Sequence, residues 1–160
     1  MPKAILLVED NIDDVLFMKR ALSKSGVPNR LFVVENGQKA LDYLAGREPY
    51  ADRSVYPLPR LVLLDLKLPE VPGFDVLRWI RSEPELAGLA VVVLTSSDHP
   101  SDIRQAYALG ANSFLSKPGN ADELGELVRS LADYWLKRNV VISAAAGAEV
   151  RSLKTSANAS

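Results

Sequence analysis

The chain has 160 residues, 48% hydrophobic and 24% charged, with a formal net charge of −1, a composition typical of one globular domain with a single core. It contains no Cys and one His, which excludes a disulfide framework, a thiol nucleophile and a metal site built from Cys or His. The near-neutral charge gives no electrostatic footprint for DNA or acidic lipid, and the apolar runs are too short to span a bilayer. We therefore expect a cytoplasmic protein that binds neither DNA nor membranes directly.

Five short apolar runs are continuous rather than alternating, which is typical of parallel strands covered on both faces. The predicted strands are, in chain order, residues 4–8, 31–34, 61–64, 90–94 and 113–115. Segments with helical periodicity separate and follow them, with apolar stripes over 12–22, 40–44, 74–80, 103–107 and 124–135. Helix-start signals are Gly73, Pro100 and the pair Asn120 and Glu123. This alternation predicts an α/β fold, a doubly wound (βα)5 arrangement with one five-stranded parallel sheet.

Two segments fall outside this alternation. Residues 46–59 form an unusually long loop with three prolines before the third strand. Residues 139–160 begin with the apolar Val140-Val141-Ile142 and then become rich in Ala and Ser. We expect this tail to be partly disordered or to take part in dimerisation, and we assign residues 3–138 to a single domain.

Polar side chains follow the predicted strands at the points where the strands end. They are Glu9 and Asp10 after strand one, Asp65 after strand three, Thr95 after strand four and Lys117-Pro118 after strand five. Because the carboxyl ends of parallel strands share one edge, these groups are expected to converge there. Two carboxylates 4 Å apart repel by roughly 4 kcal/mol at an effective dielectric near 20, so three need a cation or raised pKa values. Oxygen-only ligands favour Mg²⁺.

Asp65 is distinct because it directly ends a buried apolar run. A carboxylate held there beside a metal is a plausible nucleophile toward phosphorus and would form an acyl phosphate. Lys117 could offset the added negative charge as a phosphate partner, and Thr95 could donate its hydroxyl to the same oxygens. The set therefore indicates phosphoryl transfer by positioning and charge neutralisation.

Over residues 3–138 the sequence resembles the receiver domain of two-component response regulators. The resemblance is carried by Val8-Glu9-Asp10, by 63–69 with Gly73, by Leu94-Thr95-Ser96-Ser97 and by Lys117-Pro118. Thr95 and Lys117 lie 30 and 52 residues after Asp65, spacings that fit this family. The resemblance implies the flavodoxin-like receiver fold. Within the family, the 46–59 loop and the 94–98 segment look most like single-domain regulators that partner bacterial phytochromes.

The resemblance also implies a phosphorylation site and its metal ligands. Asp65 would accept a phosphoryl group from a phosphohistidine on a sensor histidine kinase. Asp10 and Asp65 would ligate Mg²⁺ directly, Glu9 would act through water, and the backbone carbonyl of Lys67 would complete the protein ligands.

A conformational response is implied as well. Thr95 would move toward the phosphoryl group, and Phe114 would swing inward behind it. The Lys117–Pro118 peptide would be cis, and the surface formed by helix four, strand five and helix five would carry the response. Lys67 and Ser97, which flank the site, are expected to adjust the lifetime of the phosphorylated form.

Simpler interpretations exist for several of these residues. Glu9 and Asp10 could be an ordinary helix-start pair, and the Asp65 segment could be only a strand-to-turn transition. We assign Asp13 and Asp14 to capping and solvation of the first helix rather than to the metal. His99, in a predicted exposed loop, is assigned no role.

Four functions are compatible with a sheet of this kind. The favoured one is a phosphorylation-controlled interaction module, not an enzyme, with no output domain of its own. A phosphatase of the aspartyl-phosphate type would need a second acid two residues after the nucleophile, where this chain has Lys67. A nucleotide- or flavin-binding protein would need a Gly-rich loop where Glu9 and Asp10 stand. A receiver that has lost phosphorylation should lack Asp65, Thr95 or Lys117, and all three are present.

We also expect a twofold homodimer, because the fifth helix and Val140–Ile142 offer additional apolar area.

Overall fold

Parallel strands and helices alternate along the whole of the chain that the computed structural model describes, residues 3–140. The elements are β1 (Lys3–Val8), α1 (Ile12–Lys24), β2 (Asn29–Val34), α2 (Gly37–Ala45), β3 (Leu61–Leu64), α3 (Gly73–Ser82), β4 (Ala90–Thr95), α4 (Pro100–Ala108), β5 (Ser113–Ser116) and α5 (Ala121–Ala132). A π-helical segment, Asp133–Arg138, continues α5. The five predicted strands and five predicted helices are confirmed, with strand ends that differ by at most two residues.

The strands form one parallel sheet in the order β2-β1-β3-β4-β5. The chain order reverses at β1, which pairs with β2 on one side and β3 on the other. In doubly wound sheets the ligand crevice opens at such a reversal, beyond the carboxyl ends of the strands. Val8 pairs with Leu64 at the last step of the β1–β3 ladder, so the residues after these two strands begin side by side.

Each face of the sheet has its own apolar core. Leu6 and Val8 point into the core that contains residues of α2, α3 and α4, whereas Ile5 and Leu7 point into the core that contains residues of α1 and α5. Because both faces are covered, alternate residues of β1 are buried on opposite sides, and the strand is apolar from Ala4 to Val8. The continuous runs in the sequence therefore have the physical cause predicted for them.

Side-chain caps define where the helices begin. Asn120 Oδ1 accepts the Glu123 backbone N–H at 2.9 Å at the start of α5, as predicted. Pro100 is the first residue of α4, again as predicted. His99 precedes it, and its ring Nδ1 accepts the Ser101 N–H at 3.3 Å, so this residue caps α4 and the expectation that it has no role is wrong.

The C-terminal end of the described chain changes its helical geometry. The predicted stripe over 124–135 is correct for Leu124, Val128 and Leu131, which are buried. Beyond Ala132 the backbone becomes π-helical, which buries Leu136 and leaves Tyr134 exposed. Val140 is exposed, and residues 141–160, including Val141 and Ile142 of the predicted dimer contact, lie outside the described residues. Between residues 3 and 140, no helix has the length and apolarity that crossing a membrane requires.

The long loop over 46–59 is a packed structure. Its Tyr50 and Tyr56 rings contact each other, with centroids 5.1 Å apart, and both contact the Tyr43 ring of α2. The Arg53 guanidinium donates hydrogen bonds to the carbonyls of Tyr43, Leu44 and Tyr56, and so satisfies the end of α2. The Tyr43 hydroxyl donates to the Pro57 carbonyl at 2.8 Å.

Candidate functional site

Three carboxylates meet at the carboxyl ends of β1 and β3. One oxygen from each of Glu9, Asp10 and Asp65 lies within 4.8 Å of the other two. Glu9 and Asp65 are only 2% and 7% exposed, whereas Asp10 faces solvent. Backbone hydrogen bonds hold the two buried acids, since the Glu9 N–H donates to the Val34 carbonyl and the Asp65 N–H to the Val8 carbonyl, each at 3.1 Å. The predicted convergence is thus present, with two anionic groups taken largely out of water.

The backbone of Gly73 packs closely against the backbone of Asp65 and Leu66. The Gly73 N–H donates to the Leu66 carbonyl at 3.0 Å. A Cβ atom on Gly73 would lie 2.4 Å from the Asp65 carbonyl oxygen and 2.7 Å from Leu66 Cα, so only glycine fits. The Lys67 N–H donates to Asp65 Oδ1 at 3.3 Å, and the Lys67 side chain is exposed. The turn from β3 to α3 therefore fixes the Asp65 carboxylate at the edge of the sheet.

The Lys117 ammonium lies among these acids. Its Nζ is 2.6 Å from Glu9 Oε2 and 3.3 Å from Asp65 Oδ2, and the side chain is 10% exposed. The Lys117 N–H donates to the Thr95 carbonyl at 2.8 Å and so extends the β4–β5 pairing to the site. A third acid, Asp14 of α1, lies 3.0 Å from the same Nζ. The assignment of Asp14 to capping is wrong: Asn11 caps the helix, and Asp14 joins the site.

Burial, hydrogen bonds and neighbouring charges together shift the pKa values of Glu9 and Lys117. Burial, reinforced by the charge of Asp65, raises the pKa of Glu9 to about 7, although hydrogen bonds from Lys117 and Asn11 act in the opposite direction. Burial alone would lower the pKa of Lys117, but its hydrogen bonds to Glu9 and Asp14 and the charge of Asp65 together raise it above its ordinary value. Within residues 3–140, the site thus brings four carboxylates to one ammonium, an excess of negative charge that a divalent cation would offset.

Thr95 links the site to α4. The residue is fully buried at the end of β4, and its Oγ1 accepts the Ser97 N–H at 3.4 Å. The Ser97 hydroxyl in turn donates to the carboxylate of Asp102 in the first turn of α4. Sequence reasoning placed Thr95 and Ser97 near the site but missed Asp102, which looks like an ordinary first-turn acid.

Phe114 lies on β5, outside the acidic cluster. It pairs with Val93, and its half-buried ring packs against the core that contains residues of α2, α3 and α4. Its backbone N–H donates to the hydroxyl of Tyr107 in α4 at 3.0 Å. Phe114 is thus positioned between β5 and α4, and its inward movement remains a prediction.

The peptide geometry expected after Lys117 differs from the observed one. The cis peptide within residues 3–140 is Glu48–Pro49, and Lys117–Pro118 is trans. The trans form is the lower-energy isomer of most X–Pro bonds, by about 0.5–1 kcal/mol. The ammonium reaches Glu9 and Asp65 with this trans peptide in place.

Comparisons with known proteins agree with this fold and site. The response regulator receiver domain model matches residues 5–129. A relative in Methanothrix harundinacea, the probable methanogenesis regulatory protein FilR2, is 42% identical over 138 residues, which is 86% of each chain. The response regulator Rcp1 of Synechocystis is 35% identical over 136 residues, 85% of this chain and 90% of that protein.

Solved structures give the same result. The phosphorylated cyanobacterial phytochrome response regulator RcpA is 36% identical, with a TM-score of 0.84 over 89% of this chain and 100% of that chain. The Mn²⁺-bound form of Rcp1 is 34% identical, with a TM-score of 0.81 over 88% of this chain and 99% of that chain.

The chain belongs to the response regulator receiver domain family. It is homologous to the response regulator Rcp1 and to the phytochrome response regulator RcpA, and it is a phosphoacceptor protein of two-component signalling. Proteins of this family pair with sensor histidine kinases. The cluster of Glu9, Asp10 and Asp65, together with the metal-bound relative, supports binding of a divalent metal ion at this site.

Proposed function

We propose that Asp65 accepts a phosphoryl group from a phosphohistidine of a sensor histidine kinase, and that the resulting change of charge alters an interaction surface. The observation that carries this proposal is the meeting of three carboxylates and the Lys117 ammonium at the carboxyl ends of β1 and β3. The two buried acids and the largely covered Lys117 side chain occupy the crevice where doubly wound sheets bind ligands.

The transfer consists of one substitution at phosphorus. A carboxylate oxygen of Asp65 forms a bond to phosphorus as the bond from phosphorus to the histidine nitrogen breaks, and that nitrogen retains the electron pair. Lys117 is placed to balance the negative charge of the new acyl phosphate. Glu9, Asp10, Asp65 and the Lys67 backbone carbonyl would hold Mg²⁺, which neutralises charge on the phosphoryl oxygens when bound.

The proposal treats the chain as a phosphoacceptor rather than an enzyme. A hydrolase that turns over an aspartyl phosphate needs a second acid near the nucleophile to protonate the leaving group or activate water. Two residues after Asp65 this chain has Lys67, whose exposed side chain carries the opposite charge. The chain would therefore assist its own phosphorylation and dephosphorylation through the metal site, Thr95 and Lys117 but, without an acid at this position, would not turn over a substrate.

Thr95 and Phe114 would transmit the change. The Thr95 hydroxyl, which now accepts the Ser97 N–H, would donate to a phosphoryl oxygen and loosen its link to Ser97. Phe114, held at its N–H by Tyr107, would then move toward the space behind Thr95. The region that responds would comprise α4, β5 and α5.

We further propose that the partner is a phytochrome kinase and that the protein forms a homodimer. The likeness to RcpA, a cyanobacterial phytochrome response regulator, supports a bacterial phytochrome kinase as donor. We also place the protein in the cytoplasm as part of this proposal. The exposed Tyr134 and Val140, beside the half-buried Trp135, support a homodimer contact near the end of α5.

Phosphorylation by acetyl phosphate with Mg²⁺, followed by mass spectrometry of the intact protein, tests the proposal. The parent should gain one acid-labile phosphoryl group, and Asp65→Asn should gain none. Asp13→Asn, at an exposed acid in the first turn of α1, should be labelled as the parent is. Equal labelling of parent and Asp65→Asn would contradict the site assignment.

A further inference from the structure

Asp14 is a carboxylate of the site that belongs to no predicted metal ligand set. It lies four residues after Asp10, in the first turn of α1, and the cluster that could hold a metal contains Glu9, Asp10 and Asp65 but not Asp14. Its Oδ2 is nevertheless 3.0 Å from Lys117 Nζ, closer than Asp65 Oδ2 at 3.3 Å. The ion pair between Lys117 and Asp14 can therefore persist when a metal ion binds to the other acids.

Local structure fixes this contact. Asn11 caps α1 and accepts the Asp14 N–H at 3.1 Å, which sets the position of Asp14 at the start of the helix. The Asp14 side chain is 24% exposed, whereas the neighbouring Asp13 belongs to the exposed residues. Two adjacent acids of the same turn thus differ in one respect: Asp14 faces the ammonium, and Asp13 faces water.

The charges around Lys117 create a competition. In the metal-free protein, Glu9, Asp14 and Asp65 share its three N–H donors. A divalent cation at this site would be held by Asp65 directly and by Glu9 through water, so it would compete with Lys117 for both carboxylates. A phosphoryl group on Asp65 competes with Asp14 for Lys117, because the ammonium would have to donate to phosphoryl oxygens.

We propose that Asp14 is a positioning residue that holds the Lys117 ammonium beside the metal site, and thereby strengthens metal binding while weakening retention of the phosphoryl group. This inference rests on the proposed function and deepens it. Because Lys117 donates one of its hydrogen bonds to Asp14, it binds Glu9 and Asp65 less strongly, and these two carboxylates remain available to the metal ion. It also adds a negative charge near the place where the phosphoryl group would lie.

Removal of this charge should change two affinities in opposite directions. With Asp14→Asn, Lys117 binds Glu9 and Asp65 more strongly, so the protein should bind Mg²⁺ less tightly. The same variant should bind beryllofluoride, an anionic phosphoryl mimic, more tightly at saturating Mg²⁺, because Lys117 has lost a competing partner. Both changes should be about fivefold, the upper end for partly exposed ion pairs. A residue with only a structural role would weaken both.

The experiment uses the full chain and calorimetry for both ligands. Asp13→Asn is the matched control, since it removes the same charge from the same helical turn, and both affinities should stay within about twofold of the parent. Asp14→Glu keeps the charge and should return both affinities toward those of the parent. In metal-free samples, nuclear magnetic resonance of the Lys117 ammonium should show faster hydrogen exchange in Asp14→Asn than in Asp13→Asn.

The outcomes separate the two proposals. Opposite shifts in Asp14→Asn, absent from Asp13→Asn, support the positioning role. Parallel losses of both affinities, or values equal to those of Asp13→Asn, overturn it while the phosphoacceptor function stands. A parent that binds neither Mg²⁺ nor beryllofluoride overturns the proposed function, and unchanged ammonium exchange in Asp14→Asn overturns the contact by itself.

Discussion

The loop over 46–59 and the acidic edge of the sheet differ in whether their polar groups are paired within the protein. The loop over 46–59 is held to α2 by hydrogen bonds to neutral backbone carbonyls: Arg53 donates to three, and Tyr43 of α2 donates to that of Pro57. At the edge formed by Glu9, Asp10 and Asp65, buried anions outnumber the ammonium that Lys117 supplies. The first arrangement is complete without a ligand, and the second is balanced only when a cation arrives.

The difference shows which irregular segment carries chemistry. Both are held by well-formed hydrogen bonds, and both lie against the sheet, so order alone does not separate them. What separates them is uncompensated charge in a buried place, which costs stability and persists where function needs it. The predictions that follow test this contrast from the larger effects to the smaller.

Gly73→Ala should have the largest effect, because its methyl group would lie 2.4 Å from the Asp65 carbonyl oxygen. We expect a loss of stability of about 1–3 kcal/mol and, since Asp65 is displaced, a fall of at least roughly tenfold in the rate of phosphorylation by acetyl phosphate. Gly88→Ala is the control, because no atom lies within 4 Å of its added Cβ. Equal rates in the two variants would contradict the positioning of Asp65 by Gly73.

Glu9 should make the stability of the metal-free protein fall as the pH rises. Its pKa is about 7 in the folded protein against an ordinary 4.5, so between these values the unfolded chain releases a proton that the folded chain keeps. The stabilisation is full below pH 4.5 and is lost as the pH approaches 7, by up to about 3 kcal/mol.

Denaturant titrations with chelator, from pH 5 to pH 8, measure this effect. Glu9→Gln should remove the decline, whereas Glu126→Gln, at an exposed acid of α5, should keep it. Parallel curves for the parent and Glu9→Gln would show that the Glu9 carboxyl is not held protonated by burial.

Tyr43→Phe should have the smallest effect and should leave the chemistry intact. It removes the hydroxyl that donates to the Pro57 carbonyl at 2.8 Å, and we expect destabilisation by about 1–2 kcal/mol. The rate of phosphorylation should equal that of the parent at a temperature where both are folded. A lower rate in the folded variant would mean that the 46–59 loop and the acidic edge are coupled.

The sequence predicted most of the fold because burial on both faces of a parallel sheet leaves a direct mark on it. β3 and β4 are apolar at almost every position, and the polar residue after each such run could be assigned to the functional edge. Cap positions were predictable where the capping side chain is a typical one, as with Asn120, and not where it is an imidazole, as with His99.

The contacts that could not be predicted from the sequence depend on how separate elements pack against each other in the fold. Asp14 and Asp102 stand in first helical turns, where acids are common for electrostatic reasons, so nothing local distinguishes them from Asp13. Only the direction in which Lys117 extends from β5, and the distance from Ser97 to α4, show that they contact the site. The trans Lys117–Pro118 peptide and the π-helical end of α5 likewise left no local signal.

The most direct test is to locate the phosphoryl group itself. Protein phosphorylated with acetyl phosphate and Mg²⁺ is reduced with borohydride, which converts a phosphorylated aspartate to homoserine, and is then mapped by peptide mass spectrometry. The arrangement of Asp65 beside Lys117 predicts homoserine at position 65 and aspartate elsewhere. Homoserine at position 10 or 14, with Asp65 unmodified, would contradict the account.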